Sequence, residues 1–247
     1  MTLGPRLAAL ALALATALTG GCAAPGDDAE EETAHDDAEL RRYEGAGRER
    51  PEVGYLRYNG GSCTATLIGP RTILTAAHCF KFSSAIGAAA APPLATFTIQ
   101  AADGQNLVYP IRRFRADAYI YQVSFDLAVA QLDLPIPATV ATPATLATSW
   151  GRERLTVYGY GTHGEGCKLT EAGYVKRKTT VPSRGAVKAT TCPGDSGGPY
   201  FRGTTSEIVA TVKGDTMGFE FFGDAVDHRA WIRERRAESE RGELDTE

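Results

Sequence analysis

The 247-residue chain has little of what several large function classes need. Basic charge is not in excess: 26 Lys and Arg stand against 30 Asp and Glu, giving a formal net charge of −4 and a pI near 5.7. That balance argues against nonspecific nucleic-acid binding. No long amphipathic helical period and no internal repeat runs between Tyr43 and Phe222, so the body is not built as a helical bundle or repeat array. Histidine is scarce, at four residues, and His35, His163 and His228 are scattered without any metal-ligand spacing. They read as surface or structural residues, and neither a metal nor a cofactor is expected. The apolar run from Leu7 to Leu18 is too short for a comfortable membrane span. Hydrophobic content of 43% still supports a sizeable core, in one large domain or two small ones sharing a cleft.

What is present divides into segments. Residues 1–22 read as a signal peptide: Arg6, the apolar run, then small residues ending at Cys22. The ending "LTGGC" resembles the lipobox of bacterial lipoproteins, with Thr19 where that pattern prefers leucine, and ordinary secretory cleavage is the alternative. Cysteine arithmetic favours the lipid reading. Of five cysteines, Cys22 is the odd one, and lipidation there leaves four for two disulfides in an oxidising, extracytoplasmic compartment. Residues 23–42 hold eight acidic residues from Asp27 to Glu39 and almost nothing large and apolar, which reads as a solvated tether. Their spacing fits no calcium-coordination loop. Residues 237–247 read as a charged tail that frays after a short helix.

Residues 43–236 form the body. Runs such as "TATLI", "ATFTIQ", "DLAVAQL", "RLTVYGY" and "EIVATV" recur at close spacing between Gly, Pro, Asn and Ser turns. They predict an all-β sandwich or barrel. "AIGAAAAPPLA", from Ala85 to Ala95, reads as an inter-strand loop. Only "DAVDHRAWIRERR", from Asp224 to Arg236, has a helical pattern, with Val226, Trp231 and Ile232 able to face the body.

Two stretches carry the chemistry. "CPGDSGGPYF", Cys192 to Phe201, sets three glycines and two prolines around Ser196 and Asp195. Such a loop can aim a hydroxyl outward while the amides of Gly194 and Ser196 converge as an oxyanion hole. "TILTAAHCF", Thr72 to Phe80, is a strand ending in small residues and then His78. Cys79 follows it, and Cys63 lies 16 positions earlier in the neighbouring strand, a placement that a hairpin-spanning disulfide satisfies.

"TAAHC" together with "GDSGGP" resembles the trypsin-like (chymotrypsin-fold) serine peptidases, over about Tyr43 to Arg236. In that family these motifs carry the triad histidine and serine, and an aspartate lies between them. "FDLAVAQL" places Asp126 there, 48 residues after His78 and 70 before Ser196. Asp117 is the nearby alternative, but it stands outside a strand-like run. The resemblance implies two antiparallel Greek-key β-barrels with the site between them, a division near Pro143 to Leu155, and a Cys167–Cys192 bridge in the second half. It implies a serine endopeptidase that acts on proteins or peptides through an acyl-enzyme, as a monomer. An esterase is disfavoured because "GDSGGP" is not the Gly-x-Ser-x-Gly elbow.

Three departures from the family pattern matter. Lys213 stands near where a small hydroxyl residue usually touches the triad aspartate, which keeps open a catalytically impaired homologue acting as a binding scaffold. The usual Ile-Val-Gly-Gly amino terminus is missing. Cleavage after Arg42 would instead expose Tyr43 to pair with Asp195, against a chain active with its tether intact. Thr190, six positions before Ser196, is uncharged, so cleavage after Lys or Arg is expected to be disfavoured. Lys213 and Asp215 are the other candidates for the specificity pocket.

Overall fold

The computed structural model describes residues 44–46, 48–58, 61–80, 87–90, 95–116, 125–164, 167–168, 175–183, 191–216 and 219–244. Residues 1–22 with Cys22, the acidic stretch with His35, the Arg42–Tyr43 bond, Asp117 and Thr190 lie outside the described residues.

The first half contains β2 (Val53–Tyr58), β3 (Gly61–Gly69), β4 (Thr72–Ala76), β5 (Gly87–Ala90), β6 (Thr96–Gln100), β7 (Asn106–Ala116) and β8 (Leu127–Leu132). They pair in the order β5-β7-β6-β2-β3-β4-β8, and a β7–β8 pairing closes six of them into a barrel. In β3, β4 and β8 nearly every residue is buried, because both faces of these strands are covered. Cys63, Ala65, Leu67, Ile73, Ala128 and Ala130 fill the barrel, while Ile68, Leu74, Leu127 and Val129 point into a second cluster with Tyr158, Phe201 and Ile232. The period of two is intact, but it sorts side chains between two cores rather than between core and water. Stacked Phe80 and Phe114, with ring centroids 4.2 Å apart, anchor the barrel interior.

The second sheet runs β1 (Glu44–Gly45), β11 (Arg177–Val181), β10 (Leu155–Gly159), β12 (Pro199–Arg202), β13 (Glu207–Thr216), β14 (Phe219–Asp224). Both sheets are antiparallel except where β9 (Thr145–Leu146) lies parallel to β13. The chain changes halves at that point. The amide of Ala144 still bonds to Leu67 of the first half, whereas those of Thr145 and Ala147 bond to Ser206 and Ile208 of the second.

Two expectations need correction. The alanine-rich stretch is not wholly a loop, since β5 pairs with the part of β7 that extends beyond β6, Gly87 opposite Ala116 and Ala90 opposite Arg113. An open strand edge recruits backbone whatever its side-chain propensity. The carboxyl-terminal segment stays helical beyond the point expected. Helix α1 runs over Arg229–Arg241, past Arg236, and Gly242 caps it in a left-handed conformation. Its anchors are polar: the Thr72 hydroxyl meets Ser239 Oγ at 2.9 Å, and the Arg71 amide donates to Glu240 Oε1 at 3.1 Å. Beyond the helix, Leu244 is fully buried. Of the helix residues expected to face inward, Ile232 is fully buried, while Trp231 and the preceding Val226 pack partly against the cores.

Lys176, just before β11, is buried, and its ammonium donates to the carbonyls of Arg50 at 2.6 Å and Val53 at 3.3 Å. Burial pushes its pKa down to about 8, against the opposing pull of Glu52 and Glu49. Between pH 8 and the unfolded value near 10.5 the unfolded chain holds a proton that the native one has released, so stability rises with pH through that window. The gain should be on the order of 3 kcal/mol across the window. Urea unfolding from pH 7.5 to 9.5, in wild type and Lys176→Met, checks this below the range in which unfolded tyrosines ionise. A difference between the two proteins that does not change with pH would refute it.

Candidate active site

His78 sits where β4 ends and the chain tightens into a 3-10 turn, Ala77–Phe80. Cys79, on the same turn, is bridged to Cys63 of β3, with Cα atoms 6.2 Å apart, so the histidine backbone is tied to the barrel wall. Asp126 immediately precedes β8. It has φ 54°, a left-handed conformation that aspartate tolerates better than most residues, and it is fully buried. The turn and the aspartate grip each other three ways. The Ala77 amide donates to the Asp126 carbonyl at 3.0 Å, the His78 amide donates to Asp126 Oδ1 at 2.8 Å, and His78 Nδ1 lies 2.7 Å from Asp126 Oδ2. The imidazole is one-fifth exposed, with one edge on the buried carboxylate and the other towards the cleft.

Ser196 lies on the loop between Cys192 and β12. The loop is folded back on itself by Asp195 N to Cys192 O at 3.0 Å and Gly198 N to Asp195 O at 2.8 Å. It is sewn to β13 by Gly197 N to Val212 O at 2.7 Å and Val212 N to Gly198 O at 2.8 Å. Cys192 is bridged to Cys167. The Asp195 carboxylate turns inward, 1% exposed, and accepts from the Gly161 amide at 2.7 Å and the Cys192 amide at 2.9 Å. Thus Asp195, Gly197 and Gly198 all commit their amides internally. Among the described residues, the amides of Gly194 and Ser196 between them have no protein acceptor. Polar groups left unmatched beside a cleft are available to a bound species.

The two halves meet through a residue that motif reading passed over. Thr64 of β3 donates its hydroxyl to the Gly194 carbonyl at 2.9 Å and accepts from the Tyr160 amide at 3.0 Å, and its own amide donates to the Ser196 carbonyl at 2.8 Å. Thr75 of β4 donates to the Thr64 carbonyl at 2.8 Å and fixes it in turn. The only sequence signal was a hydroxyl in "CTATLI" at positions that strand alternation turns away from the barrel interior.

His78, Gly194 and Ser196 line one cleft of about 300 Å³, walled by Leu56, Tyr58 and the Cys63–Cys79 bridge. Donor atoms of Cys63, His78 and Cys79 lie within 4.8 Å of one another. Because the two sulfurs are joined in a disulfide, they offer no thiolate to a metal. Lys213 occupies a bulge of β13, between Val212 and Gly214. Asp215 continues that strand opposite Glu220. His228 is structural, with Nδ1 2.9 Å from the Asp224 carbonyl at the start of α1.

Known structures share this architecture. Human heparin binding protein superposes with a TM-score of 0.60 at 21% identity, covering 78% of this chain and 95% of that one. Neuropsin, a serine protease expressed in the limbic system of mouse brain, gives 0.56 at 17% identity, covering 77% and 96%. A search of curated protein sequences found no significant match. The Trypsin family profile matches residues 41–219, a span that holds the first barrel, the second sheet as far as β13, the His78–Asp126 pair and the Ser196 loop, and the chain therefore belongs to the trypsin family.

Proposed function

We propose that the protein is a serine endopeptidase in which Ser196, His78 and Asp126 form the catalytic triad. A trypsin-family domain is of the hydrolase, peptidase type, with proteins or peptides as substrates. The observation that carries the finer reading is the buried Asp126 carboxylate 2.7 Å from Nδ1 of an imidazole that shares its cleft with Ser196. Asp126 holds the proton on Nδ1 and leaves Nε2 free to accept the Ser196 proton as the hydroxyl attacks the scissile carbonyl. The amides of Gly194 and Ser196 receive the negative charge that develops on the carbonyl oxygen. His78 then passes the proton to the leaving amine, and water reverses the steps to free the acyl-enzyme.

A fluorophosphonate probe tests this directly. Wild type should label and Ser196→Ala should not. Absence of label in both would instead support the reading kept open by Lys213, a scaffold without turnover.

The same reading extends to specificity. In the trypsin family the residue six positions before the nucleophile faces the primary pocket; this chain has the uncharged Thr190 at that position, which would give a cationic substrate side chain no counter-ion and leave its desolvation uncompensated. Matched peptides differing only before the scissile bond should be cut at least about tenfold faster with small or medium uncharged residues than with Arg, since one such uncompensated charge costs several kcal/mol. A strong Arg preference would overturn this, and Asp215→Ala would then test whether that carboxylate is responsible. Export and anchoring belong to the same proposal: lipidation at Cys22 would hold the peptidase body outside the cytoplasm, and cleavage after Arg42 would offer Tyr43 to Asp195. No helix among the described residues is long and apolar enough to cross a membrane.

A further inference from the structure

Helix α1 carries a row of arginines that the proposed chemistry does not use. Arg229, Arg233 and Arg236 are spaced by four and three residues, which sets them on one stripe with axial steps of about 6 Å and 4.5 Å. Together with the hydroxyl residues Thr145 and Thr148, they line a groove of about 500 Å³ between the helix and the segment around β9. The groove shares no residue with the cleft that holds His78 and Ser196.

The row keeps a net positive charge in the groove, three guanidinium groups against the one carboxylate of Glu240. Among the described residues, none of the three arginines makes an ion pair or hydrogen bond through its side chain. The helix's other cations behave differently: Arg235 is held by Glu234 and Glu238, and Arg241 by Glu243. Glu234 and Glu238 project from the far side of the helix, about 140° and 180° around from Arg229. One acid, Glu240, reaches the groove, but its Oε1 is committed inward to the Arg71 amide and the Thr72 hydroxyl. A chain of net charge −4 thus concentrates three unshared guanidinium groups at one concave place. Planar guanidinium forks pair with phosphate and sulfate oxygens two at a time, and hydroxyl donors complete such a shell.

We infer that the groove lined by Arg229, Arg233, Arg236, Thr145 and Thr148 binds a soluble oligoanion carrying two or three phosphate or sulfate groups a few ångströms apart. Concavity favours a molecule that enters the groove over a flat membrane surface. This inference stands independently of the proposed triad.

The test uses the full chain carrying Cys22→Ser, so that no acyl chain contributes, with calorimetric titration of tripolyphosphate and of orthophosphate as the single-group control. Tripolyphosphate should bind at least about tenfold more tightly than orthophosphate, since it engages more than one guanidinium. Arg233→Gln/Arg236→Gln should lose at least about tenfold in tripolyphosphate affinity while keeping its melting temperature within about 2 °C, because both side chains are exposed. Arg48→Gln/Arg112→Gln removes the same charge from exposed positions elsewhere and should change affinity less than twofold. Equal binding of the two phosphates, or equal losses in the two double variants, would overturn the inference. Sedimentation with phosphatidylglycerol vesicles in the absence of tripolyphosphate binding would overturn it in favour of a membrane surface.

Discussion

Asp126→Asn should lower kcat by about 10⁴-fold, the size of effect characteristic of that change in a Ser-His-Asp triad, with KM little altered. The reason lies in two hydrogen bonds with different freedoms. The His78 backbone N–H can only donate, and it reaches Asp126 Oδ1 at 2.8 Å. An asparagine in this fully buried site must give its single carbonyl oxygen to that amide, which turns its NH₂ towards Nδ1, where Oδ2 now lies at 2.7 Å. Nδ1 must then accept, the ring proton moves to Nε2, and Nε2 can no longer take the proton of Ser196. Shape and volume barely change, so the fold should survive. Steady-state kinetics on a peptide substrate, with fluorophosphonate labelling rates in parallel, provide the check. A loss of less than about tenfold would show that Asp126 is not the group that orients His78.

Gly197→Ala should destabilise the protein by about 3–4 kcal/mol, combining a left-handed backbone penalty with overpacking. Gly197 has φ 79°, and a Cβ built there would lie 2.0 Å from Thr75 Oγ1, 2.4 Å from the Thr64 carbonyl and 2.7 Å from the Ala76 amide. Two of those atoms are backbone of β3 and β4, strands of the closed barrel that cannot retreat without breaking ladder bonds. Gly203→Ala is the matched control, since φ there is 51° but nothing lies within 4 Å of the new atom. It should cost only about 1–2 kcal/mol, the backbone penalty alone. Urea denaturation of both variants separates the two terms, and equal losses would mean that the loop moves aside freely. Hydrolytic activity should fall with Gly197→Ala well before unfolding, because the displaced loop carries Ser196.

These two effects differ in how far they were visible in the chain. The geometry around Asp126 depends on short segments, "TAAHC" and "FDLAVAQL", whose residue types and order already pointed to each other. The clash at Gly197 depends on β3 and β4 packing beneath a loop that follows them by more than a hundred residues. The same holds for Thr64, whose hydroxyl meets Gly194 across 130 positions, and for Ser239, which meets Thr72 across 167. A threonine in a strand or a serine in a charged helix carries no mark of its partner.

By itself the sequence determined the strand-rich body, the helical pattern near the carboxyl end, the cysteine pairing and the identity of the residues around His78, Asp126 and Ser196. The strand and helix patterns follow from local propensity and spacing, which act over a few residues, whereas the Cys167–Cys192 pairing and the choice of Asp126 rested on the resemblance to a known family. Only the tertiary structure decided that β5 covers the overhang of β7, that the helix continues past Arg236 with Ser239 and Leu244 buried, that the Gly194 and Ser196 amides lack acceptors among the described residues, and that three arginines of α1 share one groove with Thr145 and Thr148. Each of these depends on which distant backbone or side chain shields a polar group from water. That is set by how the two sheets and the helix pack, and no short window of the chain contains it.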